Sequence, residues 1–413
     1  MTQAAAAAGA PALRPDDPGF LRDPYPAFAR LRAEDPVHWS APLRAWVLTR
    51  YEDVRAALLD ARMSSDRLRP YFATLGEGEA ARIAHLVRYL SRWMVFRDPP
   101  EHTRLRRLAS RVFHLQSMNA MRPAIEAIVA ELLERIGTRR ELDFIADFAG
   151  PLPARVVMAM LGVPPEELAR VKRLSDEMAL FIGSARMSAE KYALAERATR
   201  AMAGFFAELL ADRGRAPRDD LLSALARLRH EPDGFDEDEL VATSILLLFA
   251  GHETTTNLLA NGLLALVRFP DQLERLRAEP ALAPRAVEEL LRYDGPSGAQ
   301  VRIVAATHRI RDRTLRAGER VFLMLNAANR DPEVYEDPDQ LRLDRGGPAH
   351  LAFGFGPHLC LGFPLARLEG QIALPAVLAR WKRIELAVPE ERLEWLASLV
   401  FRGMKSLPLR VAP

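Results

Sequence analysis

Phe353-Gly354-Phe355-Gly356-Pro357-His358-Leu359-Cys360-Leu361-Gly362 is the stretch on which the reading of this chain turns. Glycines and a proline make a tight loop, and the loop ends on the single cysteine of 413 residues. A helical pattern, Phe363-Pro364-Leu365-Ala366-Arg367-Leu368-Glu369, follows at once. A helix N-terminus presents backbone N–H groups and the positive end of the dipole, and both favour a thiolate. One cysteine excludes an intrachain disulfide, a multi-cysteine zinc site and a cysteine-held iron–sulfur cluster. It leaves core filler in a glycine-rich turn, a nucleophile, or one ligand of a metal whose other ligands are not sulfur.

Composition does not narrow this further. Hydrophobic residues are 49%, charged residues 27% and the formal net charge is +2, an ordinary balance that gives no reason to expect a nucleic-acid partner. The most apolar run, Leu240 to Gly251, is too short to span a bilayer, so no membrane anchor is expected. The alanine-rich start lacks the basic and leucine-rich parts of a signal peptide. Residues 1–22 are expected to be a disordered arm, and the protein is expected to be cytoplasmic and monomeric.

Helical periodicity dominates the rest. Helices are expected at 24–34, 51–59, 99–112, 121–136, 153–161, 166–181, 188–212, 218–229, 237–268, 271–277, 284–293 and 361–381. Strands are expected at 37–39, 46–48, 301–305 and 320–325. Residues 62–97 read as an arginine-containing loop with short helices, and 329–349 as a meander.

Three further stretches carry chemistry. The 237–268 pattern is capped by Asp236 and followed by Pro270, and about 32 residues make a rod of roughly 48 Å. Its flanks are apolar all round, yet its centre reads Ala250-Gly251-His252-Glu253-Thr254-Thr255-Thr256-Asn257. Polar groups in a buried helix need partners or a task; the other reading is that this part surfaces. In Asp98-Pro99-Pro100-Glu101-His102-Thr103-Arg104-Leu105-Arg106-Arg107, Asp98 is expected to cap and Pro99 to fill the first helical position. There Leu105, Leu108, Ala109 and Val112 form the apolar stripe, His102 and Arg106 its border, and Arg104, Arg107 and Arg111 the outer face. Glu289 and Arg292, one helical turn apart, form an ion pair.

The cysteine stretch resembles the haem-binding signature of the cytochrome P450 family, in which Phe, Gly, a basic residue, Cys and Gly recur at fixed spacing. Here they are Phe353, Gly356, His358, Cys360 and Gly362. The resemblance implies a mainly α fold with small β-sheets, a single triangular haem-binding domain over 23–413. It implies haem b (iron protoporphyrin IX) held by Cys360 and activation of O2 with NAD(P)H-derived electrons. Thiolate ligation favours O–O cleavage. Ala250 and Gly251 would then lie over the haem face, with Thr254 and Glu253 as the hydroxyl and acid that bring protons to it. His102, Arg106, Arg302 and His358 match the family's haem-propionate contacts. Glu289 and Arg292 match a structural Glu-x-x-Arg helix whose third member would be Arg345.

The same resemblance places substrate-pocket walls at Met94, Val95, Phe181, Leu246, Phe249, Ala250, Ser297, Ala299, Val301, Val400 and Phe401. These are largely apolar and suit a steroid, terpenoid, polyketide or fatty-acid-like molecule. Seven arginines lie between Arg88 and Arg111 against two acids, Asp98 and Glu101. They would form a basic proximal face for a ferredoxin or flavodoxin, or an ordinary solvated face. Three features depart from the family pattern: Phe363 where a small residue is commoner, Leu315-Arg316-Ala317-Gly318 in a turn usually containing proline, and Pro375 inside the last helix. The expected activity is insertion of one oxygen atom from O2 into a lipophilic small molecule. The alternatives are a peroxide-driven haem-thiolate enzyme and a non-oxygenating haem scaffold.

Overall fold

The computed structural model describes Leu13, residues 17–182 and residues 189–413. Most of the expected 1–22 arm lies outside the described residues; within it, Pro18–Arg22 form a short helix capped by Asp17. The chain packs as two compact units, each assembled from separate stretches. Met1–Met63, Val129–Pro151 and Thr254–Pro413 make the first, and Ser64–Ile128 with Leu152–Glu253 make the second.

The first unit holds the β-structure. Strands β1 (Val37–Ser40), β2 (Ala45–Leu48), β3 (Met63–Ser64), β4 (Glu141–Asp143), β5 (Ala299–Val304), β6 (His308–Ile310), β7 (Arg313–Leu315), β8 (Arg320–Met324), β9 (Arg383–Leu386) and β10 (Pro408–Ala412) form three sheets among the described residues. The largest has the order β1-β2-β8-β5-β3, with β2 and β8 parallel and β5 antiparallel to β8. Side chains alternate across a strand, and both faces of this sheet are buried. Trp46, Leu48, Val321, Leu323 and Val304 join one core, while Ala45, Val47, Phe322, Met324, Ala299 and Val301 join another. Gln300 and Arg302 therefore share a face with Val304.

The sheet β4-β10-β9 was not legible beforehand. Its strands are three to five residues long, and β4 pairs with a strand more than two hundred residues away, so no local period announces them. The last helix, Phe363–Arg380, runs on through Pro375.

The second unit is helical. Helix Leu168–Ile182 buries Val171, Leu174, Ser175, Met178 and Phe181 at helical spacing and packs along Ala189–Arg215. The long helix spans Glu237–Arg268 and begins in this unit. Its start is a capping box: Glu239 N–H donates to Asp236 Oδ1 at 2.7 Å, and Asp236 N–H to Glu239 Oε2 at 3.0 Å. Asp98 does not cap as expected. The next helix begins at Glu101, with Pro100 in the cap position. The Asp98 carboxylate instead accepts from Ser65 N–H at 2.8 Å and from the Ser64 hydroxyl. No described helix is long and apolar enough to cross a membrane.

Candidate functional site

In the first unit, the Cys360 loop is closed by its own backbone. Cys360 N–H donates to Phe353 O at 2.9 Å, Leu359 N–H to Gly356 O at 3.0 Å and Gly354 N–H to Leu351 O at 2.8 Å. Two turns in it need glycine. Gly354 has φ +73° and Gly356 φ +72°, both left-handed, and a Cβ on Gly356 would lie 2.7 Å from Leu59 Cδ2. Gly362 is the N-cap of helix Phe363–Arg380, so Cys360 sits two residues before the cap and three before the first helical residue. Phe353, His358, Leu359, Cys360, Leu361, Gly362 and Phe363 are all half-buried.

Phe363, the departure from the family pattern, packs against a second ring. Its ring centroid lies 6.0 Å from that of Phe353, and the Arg367 guanidinium covers both rings at 4.8 and 5.0 Å. Arg367 is held in turn by Glu288 at 2.6 Å. Burial alone would raise the Glu288 carboxyl; hydrogen bonds from His350 and Arg367 outweigh it and hold the group down at about 2.

Arg302 is buried on β5, donating to Gln300 Oε1 at 2.8 Å and Val301 O at 3.1 Å. The Gln300 amide lies so close to Gly354 that a Cβ there would come within 2.5 Å of Nε2. The strand carrying Arg302 thus abuts the cysteine loop. Two of the expected pocket segments also meet: Gly298 N–H donates to Val400 O at 2.9 Å, and Ser297 bridges Phe401. Asn261, on the long helix, donates to Arg402 O at 2.9 Å and fastens the second segment to the first unit's part of that helix.

Glu289, Arg292 and Arg345 come together as a buried cluster. Arg292 Nε donates to Glu289 Oε2 at 2.7 Å and Arg345 Nε to Glu289 Oε1 at 3.0 Å. Arg292 also reaches the carbonyls of Asn329 at 3.0 Å and Pro338 at 2.9 Å. Helix Ala283–Asp294 is thereby tied to the meander that leads to the cysteine loop.

In the second unit, helix Glu101–Val112 buries His102 along with Leu105, Leu108 and Ala109, with Arg106 half-buried beside them. Its outward arginines do not stand alone. Arg88 and Arg92 share Asp238, Arg97 meets Glu101, Arg104 meets Glu239, Arg107 meets Asp233 and Arg111 meets Glu231. Most of these acids lie outside the stretch from 88 to 111. The sequence count of seven arginines to two acids therefore overstates the local charge.

The centre of the long helix is unlike its flanks. Every residue from Leu240 to Phe249 is buried, yet Ala250 is exposed and Gly251, Glu253 and Thr254 are half-buried. Gly251 turns its open side to helix Pro151–Leu161, where a Cβ would lie 3.0 Å from Val157 Cγ2. Space saved at Gly251 thus lets two helices approach. Burial, reinforced by the Asp176 carboxylate, pushes Glu253 up to about 7 against an opposing pull from Lys172. Burial pushes His252 down to about 4. Sequence reading missed Asp176, which lies in a distant helix with no local motif. Asp176, His252 and Glu253 have ligand-type atoms all within 4.8 Å of one another.

Among the remaining expected pocket residues, Met94, Phe181, Leu246 and Phe249 are buried, Ala299 and Val301 likewise, while Val95 is exposed. Phe249 packs against Trp93 at 5.4 Å between centroids, and Phe181 stacks on Phe72 at 6.5 Å.

These residues fit haem. The single cysteine lies in a glycine-shaped loop whose apolar neighbours are only half-covered, and the buried run of the long helix gives way to exposure at Ala250. Each is what a flat apolar macrocycle with one protein ligand requires.

Comparison with known proteins agrees. A family model described as Cytochrome P450 matches residues 178–402. Cytochrome P450 107B1 of Saccharopolyspora erythraea is 40% identical, over 97% of this chain and 98% of its own length. The 6-deoxyerythronolide B hydroxylase of the same organism is 37% identical, over 95% and 97%. A crystal structure of P450BioI in complex with acyl carrier protein ligated to hexadec-9Z-enoic acid superposes with a TM-score of 0.88 at 34% identity, covering 95% of this chain and 99% of that one.

Proposed function

Because this chain belongs to the cytochrome P450 family and is a monooxygenase of the bacterial type, we propose that it binds haem b through Cys360 and inserts one atom of O2 into a lipophilic small molecule. Electrons come from NAD(P)H by way of a separate ferredoxin or flavodoxin. Residues 23–413 act together as the haem-binding domain. When bound, haem iron with a thiolate ligand supplies the power to split dioxygen.

The chain's own residues do the rest. The Gly354 and Gly356 turns hold Cys360 just before helix Phe363–Arg380, where N–H groups and the positive end of the dipole favour a thiolate ligand. His102, Arg106, Arg302 and His358 would offer the haem carboxylates N–H donors and positive charge. Thr254 presents a hydroxyl to the reacting oxygen, and Glu253 recharges it. With its carboxyl near 7, Glu253 is close to half-protonated at neutral pH, which suits a group that must both take and give a proton. Presence of this pair supports oxygen activation over a peroxide-driven reaction or a scaffold role.

The observation that carries the reading is the one thiol, set in a glycine-shaped loop before a helix. For the substrate, the apolar residues Phe181, Leu246, Phe249 and Val301 support a lipophilic molecule. One relative is named a polyketide-biosynthesis cytochrome P450, and another was solved in complex with an acyl carrier protein ligated to hexadec-9Z-enoic acid; both support a polyketide or fatty-acyl chain. Reconstitution with a ferredoxin, its reductase and NAD(P)H under labelled O2 tests this. One labelled oxygen in the product of a polyketide or fatty-acyl probe is expected; turnover of steroids alone would overturn the substrate class.

A further inference from the structure

A nitrogen ligand and two carboxylates converge in the second unit. Asp176, from helix Leu168–Ile182, and His252 and Glu253, from the long helix, are the one group of three or more such residues found among the described residues. Their ligand-type atoms all lie within 4.8 Å of one another. His252 Nε2 is 3.9 Å from Glu253 Oε2. Two ligands each about 2.1 Å from one ion stand about 3.3 Å apart at a tetrahedral angle and about 4.2 Å apart in line. The His252–Glu253 separation falls inside that range. Asp176 is exposed, so its carboxylate can turn toward the pair from the solvent side.

The donor set selects the ion. Carboxylates alone are common on helix surfaces, but here one donor is the imidazole of His252, which is 3% exposed. Burial keeps that ring neutral down to about pH 4, so at neutral pH no proton blocks it as a ligand. Imidazole with two carboxylates suits zinc and its neighbours, whereas magnesium and calcium require six or more oxygens. Water would complete the shell on the exposed side, where Asp176 also provides an entry path. Lys172 Nζ, 3.0 Å from Asp176 Oδ2, opposes a cation, but its side chain is 44% exposed and can swing into solvent. Glu177, the next residue, is held by Arg197 at 2.8 Å, and helix Pro151–Leu161 meets Gly251 with the apolar Val157. We infer that Asp176, His252 and Glu253 form an inhibitory site for a divalent ion of the zinc class. An ion there would hold the Glu253 carboxylate in its ionised form and withdraw it from proton transfer. Inhibition rests on Glu253 being the proton-carrying acid of the proposed mechanism; binding does not.

Zinc chloride titrated into the haem-loaded protein in a calorimeter tests binding without turnover. One zinc ion per chain is expected at the tightest site, with affinity at least about tenfold weaker in Asp176→Asn and in His252→Asn, and stronger in Lys172→Met. Excess Mg2+ is expected not to displace it. D176N changes an exposed side chain and keeps the test valid if H252N fails to fold. Equal zinc affinity in wild type and D176N, which would place the ion on other histidines, or displacement by Mg2+, would overturn the inference. Product formation is then compared with and without zinc. Inhibition in wild type that is relieved in D176N is expected. Zinc bound with the expected variant pattern but without inhibition would instead refute Glu253 as the proton carrier and leave the metal site standing.

Discussion

Thr254 and Glu253 are neighbours in sequence but differ in what removal should do. On the proposed role, Thr254→Ala is expected to keep haem binding while losing the hydroxyl that would pass protons onward, so reducing equivalents are expected to leave as hydrogen peroxide and product per NAD(P)H to fall. Product yield per electron equal to wild type would refute that role. Glu253→Gln removes the group that recharges the hydroxyl and should slow turnover by about a hundredfold. The sign of its pH dependence is fixed by the upward shift to about 7: the proton-bearing form persists below that value and is lost above it. Product formation in wild type is expected to decline as pH rises through 7, and the E253Q profile to be low and flat there; a pH-rate profile checks both. The glycine-shaped loop around Cys360 and the break in the long helix's buried run were legible because their patterns are written in adjacent residues. Asp176 was not, because proximity to Glu253 is created only by the packing of two helices. Gly251 was expected over the haem face by resemblance; its close neighbour on another helix, Val157, was not read from the sequence.

At the scale of elements, the cluster at Glu289 locks a helix to a meander. Both Glu289 and Arg292 are buried, and Glu289 receives two guanidinium groups and the Arg342 N–H at 2.9 Å. Removing the carboxylate strands two buried cations, a loss of about 3–5 kcal/mol. Glu289→Gln is therefore expected to lower the thermal midpoint and to reduce haem retention, read by calorimetry and by haem content after gel filtration. Helix Phe363–Arg380 carries the opposite case. Glu369 is 1% exposed, its Oε2 has no partner among the described residues, and burial raises its carboxyl well above the ordinary range. A raised carboxyl contributes fully below its unfolded value near 4.5 and loses that contribution as pH rises through the folded value. Glu369→Gln should therefore flatten the loss of stability on the alkaline side, a result that denaturant melts at several pH values can check. The helices were legible from their apolar spacing and caps, as Asp236 shows. The three-stranded sheet was not, since its register depends on chain segments that meet only after folding.

For the molecule as a whole, charge counting misled where pairing decides. Six of the seven arginines from 88 to 111 have an acidic partner in the same unit. Long-range attraction of an acidic electron donor by this face should be modest, and its association rate should fall only weakly with added salt compared with an unpaired basic patch. Stopped-flow reduction by a ferredoxin over a range of ionic strength measures this.

The central claim is thiolate ligation by the one cysteine available. The most direct measurement is the absorption spectrum of the purified, haem-loaded protein after reduction under carbon monoxide, recorded for wild type and for Cys360→Ser. A strongly red-shifted Soret band in wild type that is absent from C360S is the predicted result. A wild-type band at the position typical of histidine-held haem, or a red-shifted band that survives in C360S, would contradict it.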